Sequence, residues 1–238
     1  MQHLKWEEAE IETDVLTYIG TSPLKGDDGI FLSRVLSKHY LIIKRIFDIT
    51  SSLLLLSVIW PLIVLIAIGI KIDSKGPVFF RHNRVGQYGK PISINKFRTM
   101  MQGAEDMIKG FTPEQMVAWQ KSYKLENDPR VTRLGRFLRR SSLDELPQLI
   151  DIIRGKLSVV GPRPIIEDEL EKYSENKDKL LSVKPGLTGY WQAYARSECS
   201  YERRMEMELF YVDHANLLWD WKIIWGTIDR VIKRKGAL

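Results

Sequence analysis

The pattern of apolar and polar positions divides the chain into three parts. Residues 1–40 are polar, turn-rich and without a signal-peptide core, so they predict a variable N-terminal extension. Residues 41–72 contain a long apolar run and predict a membrane segment. Residues 73–238 alternate between apolar and polar positions and predict one folded polar domain.

The apolar run extends from Leu53 to Ile70 without a charge. At about 18 residues it reaches the minimum length for crossing a bilayer core of about 30 Å. A core helix of a soluble domain is the alternative, but such long apolar runs are uncommon in soluble domains of this size. Membrane contact is therefore the preferred interpretation.

The course of this segment through the bilayer stays open. Pro61 lies in the middle of the run, removes one amide donor and predicts a kink. Lys44 and Arg45 precede the run and Lys71 and Lys75 follow it, so charge does not assign the two ends to opposite faces. A kinked single span and a re-entrant hairpin that returns to the same face both fit.

Basic residues of the polar domain form several candidate anion sites. Residues 78–80 and 92–98 predict a small β-hairpin with a loop between its strands. Four basic side chains lie near the strand ends: Arg81, Arg84, Lys96 and Arg98. They could hold a diphosphate or only protect a solvated edge.

Two further cationic features follow the hairpin. Arg133, Arg136 and Arg140 share one helical face, which could meet acidic lipid, nucleic acid or a phosphate. Arg163 lies between two prolines in the turn 161–164, and this stiff backbone favours bidentate phosphate binding, although an ordinary turn is the alternative.

Composition narrows these alternatives only in part. The 238 residues are 44% hydrophobic and carry a net charge of +6, so the chain folds and favours anionic partners. Cys199 is the only cysteine, which excludes an intrachain disulfide and suggests a reducing compartment. Trp219, Trp221 and Trp225, followed by basic residues, favour a helix that lies at a membrane interface.

Asp144 and Glu145 are the candidate catalytic pair. The segment 141–149 predicts a helix start, with Pro147 tolerated in the first turn. Free amides and the helix dipole at such a start favour an ionised carboxylate or a bound phosphate. Taken alone, such a pair more often caps a solvated helix.

Several short motifs occur in a fixed order between about residues 44 and 232. They are KR with D at 44–48, the proline-broken apolar segment, DSKGPVFF at 73–80, KFRTM at 96–100, DPRVTR at 128–133, SLDELPQ at 142–148, GPRP at 161–164 and KPGLTG at 184–189. In this order they resemble the bacterial sugar transferases, which are monotopic phosphoglycosyl transferases.

The resemblance implies a mostly helical α+β fold. It combines a re-entrant membrane helix hairpin with a small catalytic domain that has a short β-hairpin and interface-lying amphipathic helices. That domain is expected on the cytoplasmic face of the bacterial inner membrane. The implied reaction transfers a sugar 1-phosphate from a nucleotide diphosphate sugar, expected to be a UDP-sugar, to undecaprenyl phosphate and releases the nucleoside monophosphate. This is the first membrane step of polysaccharide or glycan synthesis.

The resemblance also implies roles for individual residues. Asp144 is expected to attack phosphorus and form a phosphosugar intermediate, and Glu145 is expected to hold Mg²⁺ together with Asp144. Four basic side chains are expected near the phosphates: Arg139, Arg163, Lys96 and Arg98. The implied partners are a nucleotide sugar, polyprenyl phosphate, membrane lipids, downstream glycosyltransferases and a possible second copy of the chain, and they do not include nucleic acid.

Three positions depart from the family pattern: His82, Ala195 and Glu208 stand where a glutamine, a glycine and an aspartate are usual. They affect sugar preference or C-terminal packing more than the reaction. A membrane-anchored protein that binds anions without catalysis is the alternative function. Carboxylates beside the arginines favour the enzyme, because an anion binder gains nothing from acids in its site.

Overall fold

The structure is a computed structural model that describes residues 36–122, 125, 128–195 and 199–233. Most of the predicted N-terminal extension, up to residue 35, lies outside these residues. The helices are α1 Lys38–Asp73, α2 Pro113–Ser122, α3 Arg133–Arg140, α4 Gln148–Ile153, α5 Glu167–Leu170, α6 Lys177–Leu181, α7 Tyr190–Tyr194, α8 Tyr201–His214 and α9 Leu217–Lys233. The strands are β1 Phe79–Val85, β2 Pro91–Phe97, β3 Ser158–Val160 and β4 Gly186–Thr188. The predicted mostly helical fold is confirmed for the described residues.

Helix α1 contains the whole predicted membrane segment. It is 36 residues long, and by length and composition it could cross a membrane. Its outer side is apolar and exposed, with Leu54 and Val58 each 69% exposed. The helix continues through Pro61 as one element, so the predicted hairpin is not confirmed. A proline inside a helix removes one backbone hydrogen bond, and the turns on either side remain helical here.

The beginning of α1 is fixed to the polar domain by charged side chains. Arg45 donates to the carbonyl oxygens of Ile152 and Ile153, at 2.7 Å each, where α4 ends. The buried Asp48 carboxylate accepts a hydrogen bond from the backbone N–H of Val159 at 2.9 Å. The Arg45 contacts are strong because a charged guanidinium donates to carbonyls that have no donor within the helix.

The far end of α1 packs on the same domain. Ile70 is buried in one apolar cluster with Phe97 of β2 and Leu138 of α3. Asp73 Oδ2 accepts from the backbone N–H of Leu134 at 3.2 Å, in the first turn of α3. A single folded domain therefore contacts both ends of α1.

The predicted β-hairpin is confirmed, and its first strand is longer than expected. β1 and β2 pair antiparallel from Phe79 opposite Phe97 to Val85 opposite Pro91. Residues 81–85 were expected in the loop, because Arg81-His82-Asn83-Arg84 shows no apolar alternation; these strand residues are exposed or half-buried. Lys96 follows on β2, opposite Phe80, near the end that meets α3.

A second, two-stranded sheet has no counterpart in the sequence analysis. β3 and β4 pair in parallel, with Ser158 opposite Gly186 and Val160 opposite Thr188. The backbone passes so closely that a Cβ on Gly161 would lie 2.4 Å from the carbonyl oxygen of Lys184. Glycine is required there, and this contact fixes the turn that carries Arg163. Strands of three residues are too short for a periodic signal.

The predicted tryptophan-rich C-terminal helix is present as α9. Its inner side packs Ile223 into the core formed with Tyr190 and Phe210. Its outer side exposes Leu218, Trp221 and Trp225 by 50 to 76%. Trp221 also meets Phe47 of α1, with ring centroids 5.4 Å apart. The exposed apolar sides of α1 and α9 are therefore neighbours.

Candidate active site

Asp144 and Glu145 lie in a short 3₁₀ turn, Leu143–Glu145, between α3 and α4. The prediction that they begin an α-helix is wrong, because α4 begins only at Gln148, after Pro147. Ser142, with φ 56° and ψ 16°, adopts the left-handed conformation and makes the chain turn after α3. The environment of the carboxylates therefore depends on neighbouring side chains more than on the dipole of the six-residue α4.

Two cationic side chains balance this acidic pair. Lys96 Nζ from β2 lies 2.5 Å from Glu145 Oε1, with both side chains partly exposed. Burial and the charge of Glu145 raise the pKa of Asp144 to about 6, while Lys96 and Arg139 oppose that shift. Asp144 therefore stays mostly ionised at neutral pH. The structure thus brings together four of the predicted site residues.

Arg139 is held by close packing of α3 against the chain that follows β2. Its Nε donates to Thr99 Oγ1 at 2.9 Å. A Cβ on Gly135 would lie 2.1 Å from the carbonyl oxygen of Thr99, so only glycine permits this approach. The helix begins with a cap in which Thr132 Oγ1 accepts from Gly135 N–H at 2.9 Å.

Arg98 has a different environment from the other predicted basic ligands. Its buried guanidinium donates to the carbonyl oxygens of Ser74, at 2.9 Å, and of Lys75, where α1 ends. These bonds connect the end of α1 to the residue that follows β2. A role for Arg98 in phosphate binding stays a prediction, and its described contacts are structural.

Arg163 belongs to a group of basic and aromatic side chains beside the carboxylate pair. We call it the arginine–aromatic cluster, and it consists of Arg84, Arg163, Arg204, Trp191 and Tyr201. The guanidinium carbons of Arg204 and Arg163 lie 4.7 and 5.7 Å from the centre of the Trp191 ring. Burial, followed by the charge of Arg163, lowers the pKa of Arg84 to about 10, and the charges of Glu169 and, to a smaller extent, Glu145 oppose this shift. Arg84 of this cluster therefore lies close enough to Glu145 to interact with it electrostatically.

Several buried polar atoms of this cluster have no hydrogen-bond partner among the described residues. They are Nε of Arg84, Nε of Arg163, Nε and one terminal nitrogen of Arg204, and the hydroxyl of Tyr201. Buried donors of this kind nearly always have partners in folded proteins. An anionic ligand would satisfy the arginine donors, since guanidinium groups favour phosphate oxygens.

Two of the departures from the family pattern lie beside this cluster. Burial, with the charges of Arg84 and Lys96, lowers the pKa of His82 to about 4, so its ring is neutral at neutral pH. Glu208 is buried on α8, and its Oε2 accepts from the backbone N–H of Arg163 at 2.9 Å. Glu208 therefore helps to position the turn of Arg163.

Sequence reasoning gave no role to Arg204 or Trp191. One signal was present: Arg204 and Glu208 are four residues apart, which is the spacing of neighbours on one face of a helix. Their nearest charged atoms are 3.9 Å apart. Trp191 carries no signal of this kind, because only the folded chain brings it beside two arginines.

Comparison with known proteins gives one family and several relatives. The sequence model of one protein family, described as bacterial sugar transferase, matches residues 39–234. The undecaprenyl-phosphate galactose phosphotransferase of Salmonella typhimurium is 40% identical over 198 residues, which cover 82% of this chain and 41% of that protein. The exopolysaccharide production protein ExoY of Rhizobium meliloti is 42% identical over 197 residues, covering 82% of this chain and 87% of that protein.

A third relative is also much longer than this chain. The UDP-glucose:undecaprenyl-phosphate glucose-1-phosphate transferase of Escherichia coli is 36% identical over 204 residues, covering 82% of this chain and 41% of that protein. The chain thus spans less than half the length of the Salmonella and Escherichia proteins and most of the length of the Rhizobium protein.

The buried Glu208 predicts a specific pH dependence of stability. Burial raises the pKa of this carboxyl from 4.5 to about 7. Between these pH values the folded state holds a proton that the unfolded state releases, so the contribution of Glu208 to stability falls as pH rises. The glutamine in Glu208→Gln does not titrate. We therefore expect its free energy of unfolding, relative to that of the unmodified protein, to increase by about 1 to 3 kcal/mol as pH rises through this interval.

The measurement is thermal unfolding in detergent, followed by tryptophan fluorescence from about pH 4.5 to 7.5. The matched control is Glu206→Gln, which changes a glutamate of the same helix whose side chain is 41% exposed. A difference between Glu208→Gln and the unmodified protein that does not vary with pH would contradict the prediction.

Proposed function

The chain belongs to the bacterial sugar transferase family, and from this premise we propose that it transfers a sugar 1-phosphate from a UDP-sugar to undecaprenyl phosphate. The observation that carries the proposal is the ionised Asp144, partly buried beside Glu145 and between Lys96 and Arg139. The relatives from Salmonella and Escherichia bear names for this type of reaction. The product would be undecaprenyl diphosphate sugar, and UMP would be released.

Asp144 is the proposed nucleophile. A carboxylate oxygen of Asp144 attacks the phosphorus that carries the sugar, and the bond from this phosphorus to the bridging oxygen of UMP breaks. The enzyme then carries the sugar phosphate as an acyl phosphate. A phosphate oxygen of undecaprenyl phosphate attacks the same phosphorus, and the bond to Asp144 breaks. The carboxylate is regenerated, so no proton has to be gained or lost overall.

The basic side chains have separate proposed roles in this reaction. Lys96 and Arg139 lie close enough to the carboxylates to affect the pKa of Asp144, and their charge favours the anionic phosphate at the point of attack. The unpartnered guanidinium donors of the arginine–aromatic cluster would bind the diphosphate of the donor. With these roles, the UDP-sugar would bind between the arginine–aromatic cluster and Asp144.

The carboxylate pair also fits the expected Mg²⁺. No group of three or more metal-ligating side chains occurs in the described part of the chain. Magnesium does not require one, since it is commonly held by one or two carboxylates together with waters and substrate phosphates. Asp144 and Glu145 would hold the ion, and their mutual repulsion, which raises the pKa of Asp144, would be relieved. When bound, Mg²⁺ neutralises charge on the phosphate oxygens.

We further propose that α1 enters and leaves the membrane on the same, cytoplasmic face. In a single span the flanks, Lys44 and Lys75, would be separated by a bilayer core of about 30 Å. The polar domain, however, binds Arg45 and Asp48 near one end of α1 and Asp73 at the other. Two ends attached to one polar domain favour a helix that does not cross. The exposed tryptophans of α9 would then lie in the same interface.

An anion-binding protein without catalysis is the competing function. It would use the arginines alone, and the ionised Asp144 beside them would weaken anion binding by repulsion. The two functions therefore differ in their dependence on Asp144.

The first test replaces the nucleophile. We expect Asp144→Asn to lower UMP release from UDP-galactose or UDP-glucose, with undecaprenyl phosphate and Mg²⁺, by at least about 1000-fold, because the amide cannot form the acyl phosphate. Membrane association should not change. The matched control is Asp106→Asn, which removes an exposed carboxylate that pairs with the exposed Lys109. Retained turnover in Asp144→Asn would contradict the proposed function.

The second test locates the two ends of α1. In a Cys199→Ser background, single cysteines replace the exposed Lys38 and Lys75. Serine keeps a hydrogen-bond acceptor for the Trp191 indole, which donates to Cys199 Sγ at 3.3 Å. We expect a membrane-impermeant maleimide to label both positions in inverted inner-membrane vesicles and neither in intact spheroplasts. Labelling of the two positions from opposite sides would establish a span.

A further inference from the structure

A second basic site lies at the start of α1, away from the carboxylate pair. It is a cavity of about 490 Å³ between α1, the tip of the β-hairpin and the segment before β4. Three cationic side chains line it: Lys44, Arg45 and Lys184. Tyr88 also lines it, at the end of the β-hairpin opposite to Lys96, and β2 rises about 17 Å from Pro91 to Lys96.

The walls of this cavity are held together by specific bonds. Lys44 is paired with Asp220 at 2.8 Å, and Arg45 donates to the carbonyls that end α4. At the hairpin tip, Gln87 Nε2 donates to the carbonyl oxygen of Ser182 at 2.8 Å. The side chains that line the cavity are therefore held in place by contacts within the fold.

Lys184 differs from the other two cations because its ammonium group has no hydrogen bond or ion pair within the described ranges. Arg45 and Lys184 converge: a Cβ on Gly155 would lie 3.5 Å from an Arg45 nitrogen and 3.8 Å from Lys184 Nζ. Burial, followed by the charge of Arg45, lowers the pKa of Lys184, and Asp48 offsets this only in part. A bound anion would offset the cost of burying the Lys184 ammonium group and its repulsion by Arg45. Arg45 can also contribute, because its guanidinium has further N–H groups besides the two that donate to carbonyls.

Apolar side chains line much of the rest of the cavity and continue into the exposed apolar side of α1, and the lining also includes the carboxylate of Asp48 and the polar side chains of Ser158 and Ser182. Val183 and Ala215 line the inner part, and Leu41, which is 45% exposed, lines the part beside the helix. Nearby on α1, Ile42 and Ile46 are 59 and 57% exposed. The cations thus lie where the apolar surface begins, which is the depth of lipid head groups in the proposed membrane position.

Tyr88 adds an independent feature at this cavity. Its ring is 71% exposed, and its backbone has φ 57°, a left-handed conformation that is costly for a residue with a side chain. Tyrosine is common at membrane interfaces because its ring is apolar and its hydroxyl is polar.

We propose that this cavity binds the phosphate group of a membrane lipid, with the phosphate at Arg45 and Lys184 and the hydrocarbon chains along the exposed side of α1. The assignment to a lipid follows from the apolar lining, which a free phosphate would not use. The site is distinct from the one that carries Asp144, and its occupation does not depend on the transfer reaction.

The test measures lipid binding by the full chain in detergent micelles, using native mass spectrometry. The probes are dioleoylphosphatidylglycerol, dioleoylphosphatidylcholine, undecaprenyl phosphate and inorganic phosphate. We expect Lys184→Gln to weaken binding of at least one of the two anionic lipids by about tenfold, the loss of one charge-assisted hydrogen bond. The matched control is Lys90→Gln, which removes an exposed lysine at the hairpin tip outside the lining and should change binding less than about twofold.

A second variant keeps the test independent of folding effects at Lys184. Tyr88→Gly removes the ring from the lining at a position whose left-handed backbone favours glycine, so it should fold and still weaken lipid binding. The anionic lipid that loses binding in both variants identifies the source of the phosphate. Equal weakening by Lys184→Gln and Lys90→Gln, equal binding of phosphatidylcholine, or binding of inorganic phosphate without either anionic lipid would overturn the proposal.

Discussion

The attachment of both ends of α1 to one polar domain is the constraint on which the rest of the structure depends. At the start of the helix, Arg45 and Asp48 bind backbone groups of the domain, and at its end Ile70 and Asp73 pack on β2 and α3. The apolar outer side of α1 and the tryptophans of α9 are left exposed together. In the proposed membrane position, these contacts hold the carboxylate pair at the membrane surface, where a water-soluble donor and a lipid acceptor can both reach it.

The ionisation of Asp144 in the carboxylate pair depends on its cationic neighbours. Two adjacent acids repel each other, and burial adds to the cost of ionising Asp144. The positive charges of Lys96 from β2 and Arg139 from α3 lower the pKa of Asp144 and so favour its ionised form. Glycine at position 135 permits the close packing that fixes Arg139. The arginine–aromatic cluster adds guanidinium donors that have no hydrogen-bond partner among the described residues, as expected for a site that meets phosphate groups only when substrate binds.

The sequence predicts the parts of this structure that have local signals. The apolar run predicts α1, and the alternation of apolar and polar residues predicts β2. The residues of the site were identified mainly through their resemblance to a family, since their chemistry alone left alternatives open. The left-handed Ser142 and the parallel pairing of β3 with β4 depend on contacts between distant residues, which no local pattern contains.

The central claim is that Asp144 carries the sugar phosphate between donor and acceptor, and intact mass spectrometry tests it most directly. The protein is incubated with Mg²⁺ and a UDP-sugar in the absence of undecaprenyl phosphate, and the reaction is stopped in acid. The account predicts a mass increase of one hexose phosphate group, located on the peptide that contains Asp144 and lost when undecaprenyl phosphate is added. UMP release that requires the lipid acceptor, with no adduct on the protein, would contradict it, because the transfer would then be direct.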